Sequence, residues 1–172
     1  MPAFLDIPNS DSLVLRNASV PACLIEGLPA GTNVHDDGIA NIDIVIADGF
    51  IDALHPTGQN ATPADIDLSQ SMVWPCFADV HTHIDKGHIW PRKQNPDGTR
   101  PGALSSTAAD RAENWTTEDL RARMEFSLRC AYAHGTAALR THLDSTAPQH
   151  KISWPVFAGL RYPWKDPITL QG

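Results

Sequence analysis

Cysteine is scarce in this sequence, with Cys23, Cys76 and Cys130 the three among 172 residues. They are scattered and form no C-x-x-C pair, which excludes a disulfide framework and a thiolate zinc site and leaves buried apolar thiols as the expectation. Basic residues are also few: 13 Lys and Arg face 20 Asp and Glu, for a net charge of −7 and a pI near 5.5. Nucleic-acid backbones and anionic membrane surfaces both attract basic patches, so neither is expected as a partner. Long hydrophobic runs are missing too. Nothing approaches a membrane span, and Met1 to Pro8 has neither a basic stretch nor an apolar run of signal-peptide length, so a cytoplasmic protein is expected.

What is present is ordinary globular material, 42% hydrophobic and 19% charged, enough for a core and suited to a small neutral or polar ligand. Residues 1–72 read as short strands and turns. Leu13 to Ala18 and Ala22 to Ile25 are β-rich and are parted by Pro21. Ile42, Ile44 and Ile46 alternate on one face of Asn41 to Ala47, and Asp48-Gly49 is a hairpin signal before Phe50 to Leu54. Residues 31–38 and 55–63 are turn-rich loops. An antiparallel β unit is expected, forming a small β-sandwich segment.

From residue 73 the texture changes to strand, helix, strand. Thr116 followed by Glu118 and Asp119 signals a helix start, and Leu120, Met124, Leu128, Ala131 and Tyr132 follow at helical spacing until Gly135. Thr136 to Asp144 reads as a strand, which makes the unit the crossover of a parallel sheet. A helix over about 151–160 and a strand from Ile168 continue the alternation. Between Ile84 and Trp115 about thirty residues show little regular structure, and the turn cluster Trp90 to Thr99 is expected to cover a pocket.

The chemistry-bearing stretch is Phe77 to Lys86. On a strand Phe77, Asp79, His81 and His83 share one face, because successive side chains alternate. Two imidazoles about 7 Å apart at Cα can lean onto one ion with Zn–N bonds of about 2.0 to 2.1 Å, so His81 and His83 form half of a metal site. Asp79 lies on the same face, where a carboxylate can fix an imidazole tautomer. On the second strand Leu139 and Thr141 point toward helices, whereas Arg140 and His142 point the other way with Asp144 beyond. Polar residues at the carboxyl ends of parallel strands are where barrel enzymes place their sites.

Ile44 to Ile51, with Val73 to Lys86, resembles the opening of the amidohydrolase superfamily, and Gly135-Thr136 with Arg140 to Asp144 is similar to its cytosine deaminase branch. The resemblance implies an α/β protein, the N-terminal part of a (β/α)₈ TIM barrel over residues 73–172 that the β-sandwich segment precedes. It implies one divalent ion, zinc or iron, held by His81 and His83, with Asp79 behind them and Asp85, Lys86, Arg140, His142 and Asp144 toward the substrate. The family's remaining metal ligands and its acid/base glutamate come from later strands, so no catalytic residue is expected within this chain and the glutamate is expected beyond Gly172. The implied reaction is hydrolytic deamination of a cytosine-like or other amino-substituted N-heterocycle, the small-molecule partner. Homo-oligomerisation of the full-length protein is left open.

Two other readings stand beside this one. The chain could belong to another amidohydrolase branch, dihydroorotase-like or guanine-deaminase-like. Alternatively it could be an inactive fragment or a non-catalytic β-rich binding domain in which the histidines are incidental. Only two or three of eight barrel strands fit into residues 73–172, so the chain alone is expected to be inactive, to hold metal poorly and to aggregate.

Overall fold

The computed structural model describes residues 7–58 and 65–172. Most of the 55–63 loop lies outside them. The chain divides into two compact units, residues 1–75 and 76–172.

The first unit is one five-stranded sheet built on β1 (Leu13–Pro21), β2 (Asn33–Val34), β3 (Ile39–Ala47), β4 (Phe50–Pro56) and β5 (Ile66–Asp67). Strand β3 is central: β1 pairs antiparallel along one edge, and β2 and β4 follow one another along the other. Alternation buries Ala40, Ile42 and Ile44 of β3 against Ala18, Val20 and Leu68. The hairpin forms at Asp48-Gly49, where both residues take positive φ (53° and 77°), as a two-residue primed turn requires.

Two expectations for this unit change. Residues 22–25 are not a strand, because after Pro21 the chain coils into a short 3₁₀ turn, Ala22–Leu24. The pairing is not wholly antiparallel, since β1 pairs β5 in parallel at Leu15–Ile66 and Arg16–Asp67. The described strands of this unit make a single sheet, and a second, opposing layer is not shown among them. Cys23 and Cys76 are exposed and Cys130 is half-buried, whereas buried thiols were expected.

The second unit is α/β. Its strands β6 (Phe77–Thr82), β7 (Thr136–Thr141) and β8 (Thr169–Gln171) lie side by side, all parallel. Helices α1 (Arg100–Asn114) and α2 (Thr117–Ala133) lie between β6 and β7, and α3 (His150–Arg161) lies between β7 and β8. The Thr116 side chain caps α2 by accepting the Asp119 N–H at 3.2 Å, as its sequence position suggested. Leu120, Met124 and Leu128 of α2 pack with Leu139 of β7 and Val156, Phe157 and Leu160 of α3 into one core. Burial of Leu139 and Thr141 agrees with the parity read on β7.

The main departure is α1, a fifteen-residue helix inside the segment read as irregular. Thr99 caps it, accepting the Gly102 N–H at 3.1 Å, with Pro101 in the first turn, where a missing N–H costs nothing. Its one buried residue is Asp110, so no apolar stripe marks it in the sequence.

Candidate metal and substrate site

Strands β6 and β7 end side by side, and their ends are tied across. The His142 N–H donates to the Thr82 carbonyl at 2.8 Å, and the Ile84 N–H donates to the buried Thr141 hydroxyl at 3.2 Å. This register gathers three imidazoles. The ring centroids of His81 and His83 are 5.5 Å apart at 63°, and His142 stacks on His81 at 4.2 Å and lies 5.8 Å from His83. Strand parity predicts this grouping, because His142 follows β7 on the face opposite the Leu139 side.

The fit to a metal ion can be judged from these positions. An imidazole bound to zinc holds its ring centroid about 3 Å from the ion, so a 5.5 Å separation lets both rings reach one ion. His142 lies nearly parallel to His81 rather than converging with it. Among the described residues no group of three or more His, Cys, Asp or Glu side chains could hold a metal ion. His81 and His83 therefore fit as two ligands of a site, not as a whole one. His83 Nδ1 is buried without a hydrogen-bond partner.

The carboxylates take specific places. Asp79 accepts the His81 backbone N–H at 3.1 Å and bonds no imidazole among the described residues. Asp85 is fully buried, and its Oδ2 accepts the Asp144 N–H at 2.7 Å. Burial pushes the Asp85 carboxyl above the ordinary carboxylate range, with the Asp144 N–H opposing. Asp144 carries two cations, Lys86 Nζ on Oδ1 and Arg111 on Oδ2, both at 2.7 Å. Lys86 also lines a cleft of about 360 Å³ with His88, Ile89, Trp90 and Lys93. Exposed Arg140 donates two bonds to Gln171 Oε1, at 3.1 and 2.9 Å. Exposed His142 holds its proton less readily than a free imidazole, through desolvation first and then the neighbouring charges of His81, His83 and Arg140.

Two supporting residues escaped the sequence reading. Arg123 of α2 donates to the backbone carbonyls of Asp85 and Gly87 and so fixes the turn after His83. An arginine on the buried side of α2, beside Met124, was the available signal. Arg111 lies on the unforeseen α1 and had none. The segment expected to cover a pocket is anchored rather than loose: Arg92 donates to buried Asp110 at 2.7 and 2.9 Å and to Asp119 at 3.1 Å.

Likenesses to known proteins bear on this site, although no family model matches. The chain is 52% identical over 172 residues to a pterin deaminase of Rhizobium rhizogenes, covering 98% of this chain and 38% of that protein. It is 27% identical over 137 residues to an N-isopropylammelide isopropyl amidohydrolase of a Pseudomonas species, covering 77% of this chain and 30% of that protein. In three dimensions it matches a 5-methylcytosine deaminase of Klebsiella pneumoniae liganded with phosphonocytosine. That TM-score is 0.68 at 23% identity, over 92% of this chain and 35% of the other, a likeness of fold. The chain thus spans less than two fifths of the curated relatives it matches. On these likenesses the chain belongs to the amidohydrolase superfamily, of which it corresponds to the N-terminal portion.

Proposed function

We propose that the protein carrying this chain is a metal-dependent hydrolase that deaminates an amino-substituted N-heterocycle on a (β/α)₈ barrel, with this chain supplying the first strands and two metal ligands. The observation that carries the proposal is the gathering of His81, His83 and His142 at the carboxyl ends of adjacent parallel strands. The 52% likeness to a pterin deaminase favours a fused 2-amino-4-oxopyrimidine ring over free cytosine. Deamination adds water across the amino-bearing carbon: the C–O bond forms, the C–N bond breaks and ammonia leaves.

His81 and His83 would hold a divalent ion, zinc or iron, which when bound would supply Lewis acidity and lower the pKa of water toward about 7. The other parts belong to the chain itself. His142 is an exposed imidazole whose surroundings disfavour protonation, and its ring can hydrogen-bond a ring nitrogen or carbonyl. Arg140 offers a guanidinium on the same side of β7, oriented by Gln171. Asp144 is neutralised by Lys86 and Arg111, so it orders the rim without repelling a carbonyl-bearing ring.

The test uses the parent-length protein encoded by the reading frame that carries this chain. Metal content and ammonia release are measured with a panel of pterins, aminopyrimidines and aminotriazines, then repeated with His81→Ala and His83→Ala. Loss of metal and turnover in both variants is expected, and pterins are expected to be turned over fastest. Full metal content and turnover in either variant would end the assignment.

A further inference from the structure

The cleft beside Lys86 runs against the charge of the chain around it. The sequence has 20 acidic and 13 basic residues, yet among the described residues those lining this cleft include Lys86 and Lys93 and no carboxylate. Its volume of about 360 Å³ stands at the lower end of the roughly 300–1,000 Å³ of small-molecule sites. Lys93 is taken up by Glu113, whose two oxygens it reaches at 2.9 and 3.0 Å. Lys86 is less committed. Asp144 Oδ1 occupies one of the three N–H donors of its ammonium, and Asp144 has Arg111 on its other oxygen as a second cation. The Lys86 side chain is 27% exposed, so its remaining donors can turn to an anion in the cleft.

The walls are built rather than incidental. His88 takes φ 64°, left-handed backbone that a histidine rarely adopts, and is held there by Ser127 Oγ at 3.1 Å from its Nε2 and by Phe126 edge-on at 4.7 Å. Further along, Arg92 on Asp110 and Asp119 and Lys93 on Glu113 fasten the same segment to α1 and α2. Between these anchors Trp90 stands 59% exposed, an aromatic face on the cleft wall. The cleft also adjoins the strand ends. Lys86 lines it while its N–H donates to the His83 carbonyl at 3.2 Å and its ammonium bonds Asp144, just past His142.

We propose that this cleft is the subsite for an anionic substituent of the heterocycle, with Lys86 pairing to a carboxylate on the distal ring and Trp90 lying against that ring. This rests on the deaminase reading above and narrows its substrate from a bare fused ring to one that carries a carboxylate. Lys86 and Trp90 are then specificity-determining residues that act away from the amino-bearing carbon. An ammonium with donors to spare beside an aromatic face suits a planar acid better than a neutral ring.

The experiment compares pterin-6-carboxylate with uncharged 6-hydroxymethylpterin on the metal-loaded parent-length protein, so that the ring is kept and the charge differs. Wild type is expected to show a kcat/KM about tenfold higher for the carboxylate, carried by KM, as one charge-assisted hydrogen bond supplies. Lys86→Met keeps the stem and is expected to bring that ratio near one, whereas Trp90→Ala should weaken both ligands about tenfold and leave the ratio in place. Calorimetric binding of the two deaminated products is the second measurement, with the same ratios expected. A wild type with no preference for the carboxylate would overturn the proposal, and that result needs no variant to fold. Full preference in Lys86→Met, or unchanged affinities in Trp90→Ala, would overturn it as well. A wild type that deaminates no pterin defeats the functional proposal, while the binding ratios still decide this one.

Discussion

Replacing Asp110 by alanine is expected to cost about 3 kcal/mol, at the lower end of the roughly 3–5 kcal/mol for stranding a buried ion-pair partner. Asp110 is fully buried and accepts four hydrogen bonds: two from Arg92, one from Asn114 Nδ2 at 2.9 Å and one from Trp115 Nε1 at 2.7 Å. The alanine leaves the Trp115 N–H buried and unpaired, which costs about 1–3 kcal/mol by itself. Arg92 limits the loss, because its side chain is 36% exposed and keeps Asp119 as a second partner. With a urea slope of about 2 kcal/mol/M, the midpoint should fall by about 1.5 M.

The assay is urea unfolding followed by tryptophan fluorescence, in parallel with limited trypsin digestion. Arg92 and Lys93 lie in the anchored segment, so cleavage there should speed up in Asp110→Ala before global unfolding does. Trp115→Phe removes one donor and is expected to cost about 1 kcal/mol. The double variant should cost about 1 kcal/mol less than the sum, because both changes remove the same bond. A loss below about 0.5 kcal/mol for Asp110→Ala, or strict additivity with Trp115→Phe, would refute the idea that this carboxylate is the buried anchor of the loop.

The remaining predictions are shorter. Burial alone would raise the Asp110 and Asp119 carboxyls, but their hydrogen bonds, Arg92's foremost, outweigh it and hold both below the ordinary value. Their contribution is therefore full above about pH 4 and lost as pH falls through the lower folded-state values, so Asp110→Asn should flatten the acid limb of a stability profile; parallel limbs would contradict this. A Cβ on Gly102 would collide with the side-chain oxygens of Asp97 and Asn95, which build the turn before α1, so Gly102→Ala should cost at least the roughly 1 kcal/mol expected of Thr99→Ala; a neutral Gly102→Ala would argue against that turn. The 172-residue chain produced alone should self-associate and show no turnover, since β6 is a sheet edge with Phe77 54% and Val80 70% exposed; a sharply melting, active monomer would contradict this.

Legibility followed the strength of the period. The β3 strand, the Asp48-Gly49 hairpin and α2 could be read because each pairs a repeated apolar spacing with a specific start or turn residue. Ala22 to Ile25 carries β-prone residues but no alternation long enough to bind them to a sheet, and the turn after Pro21 won. Helix α1 was hidden for a different reason. Its sequence contains Pro101, Gly102 and a Ser-Ser-Thr run, and its inward face is a carboxylate rather than a leucine stripe. Arg92 and Trp115 hold it through tertiary hydrogen bonds, to which apolar periodicity is blind.

At the site the same limit falls at one residue. Alternation is a property of the extended backbone, and β6 is extended only to Thr82. Up to that point parity placed His81, and on β7 it separated Leu139 and Thr141 from Arg140. Beyond it the chain turns, with the Lys86 N–H returning to the His83 carbonyl, and counting by twos no longer says where a side chain goes. Asp79, still on the strand, is therefore aligned with the histidines by count yet exposed, and its carboxylate is held by the His81 backbone N–H. Asp85, past the turn, is carried into the interior, where one oxygen reaches the Asp144 N–H and the other is free.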